Sequence, residues 1–171
     1  MIFRPTPLDG ALVVEPQRLG DERGWFARTF DAAAFADRGM PDGVVQANAS
    51  FNARAGTLRG MHFQREPHGE PKVVRVTRGA VFDVAVDLRT CAWHGVELTA
   101  GNGLAFLIPA GMAHGFVTLA DDTEVLYLMG HHYVAEAASG VRWDDPAFGI
   151  DWPRALAVIS ERDASWPDFR A

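Results

Sequence analysis

Residues 81–88 read Val81-Phe82-Asp83-Val84-Ala85-Val86-Asp87-Leu88. Phe82, Val84, Val86 and Leu88 fall on one side of an extended chain, Asp83 and Asp87 on the other. That is the period-two alternation of a β-strand. Gly79-Ala80 precedes the run and follows another strand-like stretch, Lys72 to Thr77, so the two read as a hairpin. Downstream, Leu104 to Ile108, His114 to Leu119 and Glu124 to Met129 read as further strands, linked by the turn-forming Pro109-Ala110-Gly111 and Asp121-Asp122. Strands at such regular spacing predict a mainly β domain, a sandwich or barrel. One helix is expected early, with Asp31 as N-cap, Ala32 to Arg38 as body and Gly39 as the stop. A second, short helix is expected from Ser160. Residues 144–153, rich in Asp, Trp and Pro, read as irregular packed structure.

The 171 residues suit a single domain spanning 1–171, with enough chain to bury a core without cross-links. Apolar residues make up 48% and charged residues 22%, as in ordinary globular proteins. A net charge of −6 and a pI near 5.4 argue against a nucleic acid or an anionic membrane as the main partner. A local cluster of Arg and Lys can still take an anionic small molecule. Cys91 stands alone, so no intrachain disulfide forms, and nothing around it marks it as a nucleophile. The N-terminal residues lack a signal-peptide apolar run. No apolar run approaches the ~20 residues of a membrane span. A cytoplasmic location is the expectation.

Two stretches resemble the paired motifs of the cupin superfamily: Gly56-Thr57-Leu58-Arg59-Gly60-Met61-His62-Phe63-Gln64 and Pro109-Ala110-Gly111-Met112-Ala113-His114-Gly115-Phe116. The resemblance implies a jelly-roll barrel or sandwich with a few short helices. Metal-binding cupins place a His-x-His pair, a following Glu and a further His on neighbouring strands, a set suited to iron, manganese or zinc. Here Gln64 replaces the second His of the pair and Glu70 comes too late, which leaves His62 and His114. No bound metal is expected.

The match is tighter to one non-metal cupin family. Leu58 to Gln64, Lys72 to Val76, Gly79 to Arg89, Ile108 to Phe116 and Leu126-Tyr127 resemble, in order, the dTDP-4-dehydrorhamnose 3,5-epimerases. Trp143 to Pro146, Gly149 to Pro153 and Ser160 to Asp163 fit as well. The resemblance implies a cofactor-free isomerase of dTDP-rhamnose formation that inverts C3 and C5 beside the C4 ketone of a dTDP-linked 4-keto-6-deoxy sugar. It implies His62 as the base and Asp163 as the carboxylate paired with it. Lys72 would stand by the C4 oxygen, where positive charge offsets the enolate, and Tyr127 would donate a proton on the opposite face. Arg23 and Arg59 match positions that hold the diphosphate, a task suited to a planar guanidinium. Gln46, Asn48, His114 and Arg162 match further ligand contacts. Tyr133 matches an aromatic that stacks on the base, with Phe26 lining the same site. A nucleotide sugar as ligand and a homodimer covering exposed edge strands are also implied.

Taken singly, these residues have plainer readings. Asp163 follows Ser160 by three, the spacing of a helix capping box; Tyr127 between Leu126 and Leu128 reads as strand packing. The sequence also departs from the family at the rim: Arg28 and Ala138 stand where Glu is usual, Leu128 where Lys is frequent, and His132 where Tyr is frequent. A C3-only epimerase or an isomerase on a related sugar therefore stays open, as does a non-catalytic sugar-nucleotide-binding cupin. A metal-dependent dioxygenase is disfavoured by Gln64.

Overall fold

The computed structural model describes residues 1–170. The chain runs β1 (Ile2–Pro5), β2 (Leu12–Glu15), β3 (Leu19–Asp21), β4 (Gly24–Phe26), α1 (Ala32–Ala36), β5 (Gln46–Asn52), β6 (Leu58–Gln64) and β7 (Lys72–Arg78). It continues through β8 (Ala80–Asp87), β9 (Trp93–Thr99), β10 (Ala105–Ile108), β11 (Met112–Thr118), β12 (Thr123–Met129), β13 (Ala138–Gly140) and α2 (Glu161–Ala164). Two antiparallel sheets face each other, one ordered β1-β2-β10-β7-β12-β5 and the other β13-β6-β11-β8-β9. This is the mainly β, jelly-roll sandwich that the strand spacing and the cupin motifs predict. No described helix is long and apolar enough to cross a membrane.

The expected hairpin of residues 72–77 with 81–88 does not form. β7 and β8 are consecutive but lie in different sheets, and so do β11 and β12. Both crossings meet at one corner. Gly79 has φ +77°, and a Cβ there would stand 2.3 Å from Thr123 Oγ1. The buried Thr123 hydroxyl accepts from Ala80 N (3.3 Å) and donates to Ala120 O (2.8 Å). A left-handed glycine turns the chain out of one sheet and into the other, where alternation alone suggests a simple return.

Three apolar layers result. Between the sheets lie Val74, Val76, Val81, Ala85, Leu98, Phe106, Ile108, Phe116 and Val125. Outside the six-stranded sheet, Val73, Ala105 and Leu107 pack under Phe35 and Met40. Outside the other sheet, Met61, Val84, Val86 and Ala113 pack under Phe148, Ile150 and Trp152. Each fully buried Val, Leu, Ile, Phe or Met among them contributes about 1.5–3 kcal/mol. The irregular tail is thus the third layer, closed by Trp152 Nε1 donating to Trp143 O (2.9 Å). With both faces of its sheet covered, β11 is buried at every position.

α1 begins as expected, with Asp31 Oδ1 accepting from Ala34 N (3.1 Å). It ends at Ala36 rather than Arg38, and Gly39 at φ +97° completes the turn. α2 starts after Ser160, whose hydroxyl accepts from Asp163 N (3.1 Å).

Candidate active site

β7 and β10 approach β9 and close one edge of the sandwich. At the other edge, between β5 and β12 on one side and β6 and β11 on the other, a cavity of about 560 Å³ opens. Its wall contains His62, Asp163, Lys72, Tyr127, Gln46, Asn48, Arg59, His114, Tyr133 and Arg162. These are ten positions named from sequence.

A bulge shapes the β6 wall. The β6–β11 register shifts between His114, opposite His62, and Phe116, opposite Arg59. Gly60 (φ +144°) and Gly115 face each other there, and a Cβ on Gly60 would stand 2.6 Å from Gly115 Cα. The extra residue resets the side-chain phase, so Arg59 and His62, three apart, both line the cavity while Met61 turns to the outer layer.

His62 Nε2 lies 2.7 Å from Asp163 Oδ1, and Gly60 N donates to Asp163 Oδ2 (3.3 Å). Burial works to raise the Asp163 pKa. The hydrogen bond and charge of His62, the Gly60 N–H and Ser160 outweigh it and hold the carboxyl below its ordinary value. Asp163 is therefore an ionised acceptor at neutral pH. Nε2 carries the proton it accepts, and Nδ1 is the basic nitrogen of neutral His62. The capping and pairing readings of Asp163 coexist: its backbone N–H caps α2 while its carboxylate serves His62.

Across the cavity, Tyr127 Oη lies 3.0 Å from Ser50 Oγ. Burial, aided by the Asp83 charge and opposed by Ser50 and Arg59, pushes its pKa up to about 12. The phenol is a proton donor at neutral pH. Lys72 Nζ donates to Glu70 Oε1 (2.8 Å); Lys72 is buried and Glu70 partly so. His114 Nε2 lies 2.8 Å from Asp83 Oδ1, and its ring meets Tyr127 edge-on at 6.3 Å. Arg59 donates from Nε to Asn52 Oδ1 (2.7 Å), and Gln46 Oε1 accepts from Tyr133 N (2.6 Å). Tyr133 and Arg162 form the exposed rim. Three cations, Arg59, Lys72 and Arg162, thus gather on one cavity of an acidic protein.

Gln64 braces the mouth. Its Nε2 donates to His68 O (3.0 Å) and His132 O (3.1 Å), and its Oε1 accepts from Val134 N (2.6 Å). The residue standing where metal cupins have a ligand is committed to backbone groups. Among the described residues no three His, Cys, Asp or Glu side chains are grouped to hold a metal ion.

Arg23 and Phe26 are not brought to this cavity. They lie on the two-stranded β3–β4 hairpin; Arg23 pairs with Asp21, and Phe26 is 72% exposed. Residues 19–26 are too few to bury a face of their own. Sequence reading gave Ser50 and Asp83 no place in the site and weighed Glu70 only as a metal ligand. For Asp83 a signal was present, a carboxylate in the otherwise apolar run 81–86.

A family profile described as dTDP-4-dehydrorhamnose 3,5-epimerase matches residues 5–171. The enzyme of that name from Methanothermobacter thermautotrophicus is 48% identical over 177 residues, covering 98% of this chain and 94% of the relative. The crystal structure of the dTDP-4-dehydrorhamnose 3,5-epimerase of Elizabethkingia anophelis superposes with a TM-score of 0.94 at 35% identity, covering 99% of this chain and 96% of that one. The dTDP-6-deoxy-D-glucose-3,5-epimerase of Legionella pneumophila, solved in complex with dTDP-4-keto-L-rhamnose, does so at 0.88 and 34%, covering 99% of each chain. The chain belongs to the dTDP-4-dehydrorhamnose 3,5-epimerase family.

Proposed function

We propose that this protein converts dTDP-4-dehydro-6-deoxy-D-glucose to dTDP-4-dehydro-L-rhamnose by moving protons at C3 and C5, without a cofactor. The observation that carries the reading is the placement of a carboxylate-backed imidazole on one sheet opposite a protonated phenol on the other. His62 takes the proton from the carbon next to the C4 ketone, and the bonding pair becomes the enolate π-bond as the C4 oxygen gains charge. Lys72 donates to that oxygen. Tyr127 returns a proton to the opposite face of the same carbon, which inverts it. Proton exchange with solvent then resets both groups for the second carbon. Arg59 and Arg162 hold the diphosphate by charge-assisted hydrogen bonds, and Tyr133 at the rim stacks on the base. Gln46, Asn48 and His114 complete the ligand contacts.

A homodimer accounts for Arg23 and Phe26. Leu19, Trp25 and Phe26 expose 69%, 52% and 72% of their surfaces on one short hairpin. A two-fold partner that buries this hairpin against its own cavity returns both residues to a ligand. The free thiol of Cys91 fits a reducing, cytoplasmic setting.

The test is incubation with dTDP-4-keto-6-deoxyglucose in D2O, with deuterium at C3 and C5 read by NMR. Label at both carbons with the L-sugar as product is expected. Label at C3 alone identifies a C3-only epimerase. No label together with dTDP binding identifies a binding protein. Full turnover by His62→Ala refutes the mechanism.

A further inference from the structure

The chain has 16 basic residues apart from histidine, and 15 of them are arginine. Lys72 is the single lysine, and it is buried in the cavity wall with its side chain 5% exposed. The one hydrogen-bond partner of its side chain among the described residues is Glu70, whose own side chain is 11% exposed and part of the same wall. The backbone between them is anchored. Pro71 O accepts from Gly130 N (2.8 Å), and a Cβ on Gly130 would stand 2.8 Å from Pro71 Cγ. Lys72 is also in register with Met129 on β12 and Ile108 on β10.

We infer that Glu70 is a positioning residue for the reaction: it fixes the Lys72 ammonium at the site of the C4 oxygen. The inference rests on the epimerase reading above. A lysine side chain is flexible, and its ammonium is a compact charge with three donors. The Glu70 carboxylate restrains that freedom. It takes one of the three N–H donors, holds Nζ in one place and leaves two donors for an oxyanion. A guanidinium cannot substitute, because its planar fork would meet Glu70 two-pronged and turn its donors away from the ketone. This accounts for a lysine at the one position in a chain that otherwise uses arginine.

Glu70→Gln keeps the shape and removes the charge; Glu70→Asp keeps the charge and shortens the reach. Both are compared with the full-length protein in the deuterium assay, with dTDP affinity by calorimetry. Lysine-selective ¹⁵N labelling reports the ammonium directly, because the chain has one lysine. The expected result is that Glu70→Gln lowers kcat about 10- to 100-fold, the weight of one charge-assisted hydrogen bond, with KM and the dTDP Kd within about twofold. Glu70→Asp recovers part of kcat. The Lys72 ammonium signal, visible in the parent protein, is lost to solvent exchange in Glu70→Gln. An unchanged kcat in Glu70→Gln overturns the inference while leaving the epimerase intact. A kcat loss accompanied by an equal loss of dTDP binding overturns it too, because Glu70 then only holds the wall together. A parent protein that incorporates no deuterium overturns the epimerase reading, and the role of Glu70 falls with it.

Discussion

Replacing Asp163 by Asn tests the core of the site, because the two side chains have the same shape and differ in what they can donate. Gly60 N donates to Asp163 Oδ2, and His62 Nε2 faces Oδ1 at 2.7 Å. An amide in this place satisfies Gly60 by turning its oxygen toward that N–H, which aims its NH₂ at His62 Nε2. The imidazole then accepts at Nε2 and carries its proton on Nδ1, the nitrogen that must be basic. Two losses follow. The charge-assisted bond that stabilises the imidazolium disappears, about 1.5–3 kcal/mol, or roughly 10- to 150-fold in rate. The wrong tautomer adds to it; in a hydrolase triad the same carboxylate-to-amide change lowers kcat about 10⁴-fold. Asp163→Asn is therefore expected to lower kcat between about 10² and 10⁴-fold, within the bounds those two effects set. dTDP affinity should be retained, and unfolding free energy should fall by about 1–2 kcal/mol, the weight of one buried hydrogen bond. The assay is deuterium incorporation at C3 and C5 in D2O, with urea unfolding and calorimetry as controls. A variant within threefold of the parent rate, folded and binding dTDP, would refute the tautomer argument.

Tyr127→Phe removes the donor and leaves the base, so deuterium should still enter at C3 while net inversion falls by about two orders of magnitude, the usual weight of a general acid; NMR of the recovered sugar distinguishes exchange from inversion. At Gly140 an added Cβ would stand 2.3 Å from Trp166 Cε2. Gly140→Ala should therefore destabilise by about 1–3 kcal/mol in urea titrations, as overpacking does. It should also slow turnover, because Trp166 lies edge-on to His62 at 6.4 Å. The Asp163 carboxyl is held below its ordinary value in the folded state, so its contribution to stability is complete above the unfolded value of about 3.9 and is lost as pH falls through the lower folded one. Urea midpoints should decline below about pH 4, and less so in Asp163→Asn. On the homodimer proposed above, Phe26→Glu should give a monomer in sedimentation and weaken dTDP binding; a dimer unaffected by it would refute the hairpin as the contact.

The strands that surround the core were legible because burial on both faces leaves mostly apolar residues, as in Val73 to Val76, broken by Arg75 alone, and Val81 to Val86, broken by Asp83 alone. β5 was not, since Gln46-Ala47-Asn48-Ala49-Ser50 carries polar side chains to the cavity and alternates with nothing larger than alanine. The short β1–β4 and β13 offered too little pattern, and the seven-residue β9 has Gly95 within it. The false hairpin at Gly79 has another cause: alternation locates strands but carries no information on which sheet each joins, and that is decided by the Gly79–Thr123 corner. In the site, the family motifs located the residues that touch the cavity. They did not reveal the carboxylates behind them, Glu70 and Asp83, whose meaning depends on packing. Nor did they show that Arg23 and Phe26 stand away from it on the same chain.

His62 and His114 stand on one sheet, Lys72 and Tyr127 on the other, and the distance from base to acid is set by nothing local to either. Phe106, Val74 and Phe116, packed between the layers, act as shims. Trimming one of them by a methyl or two lets the layers settle together or slide. A proton donor that arrives a few tenths of an ångström out of line then slows the second face of the exchange, in addition to the stability that the cavity itself costs. Turnover in this architecture is a caliper laid across the core, and a screen for faster variants will keep finding changes in the filling between the sheets.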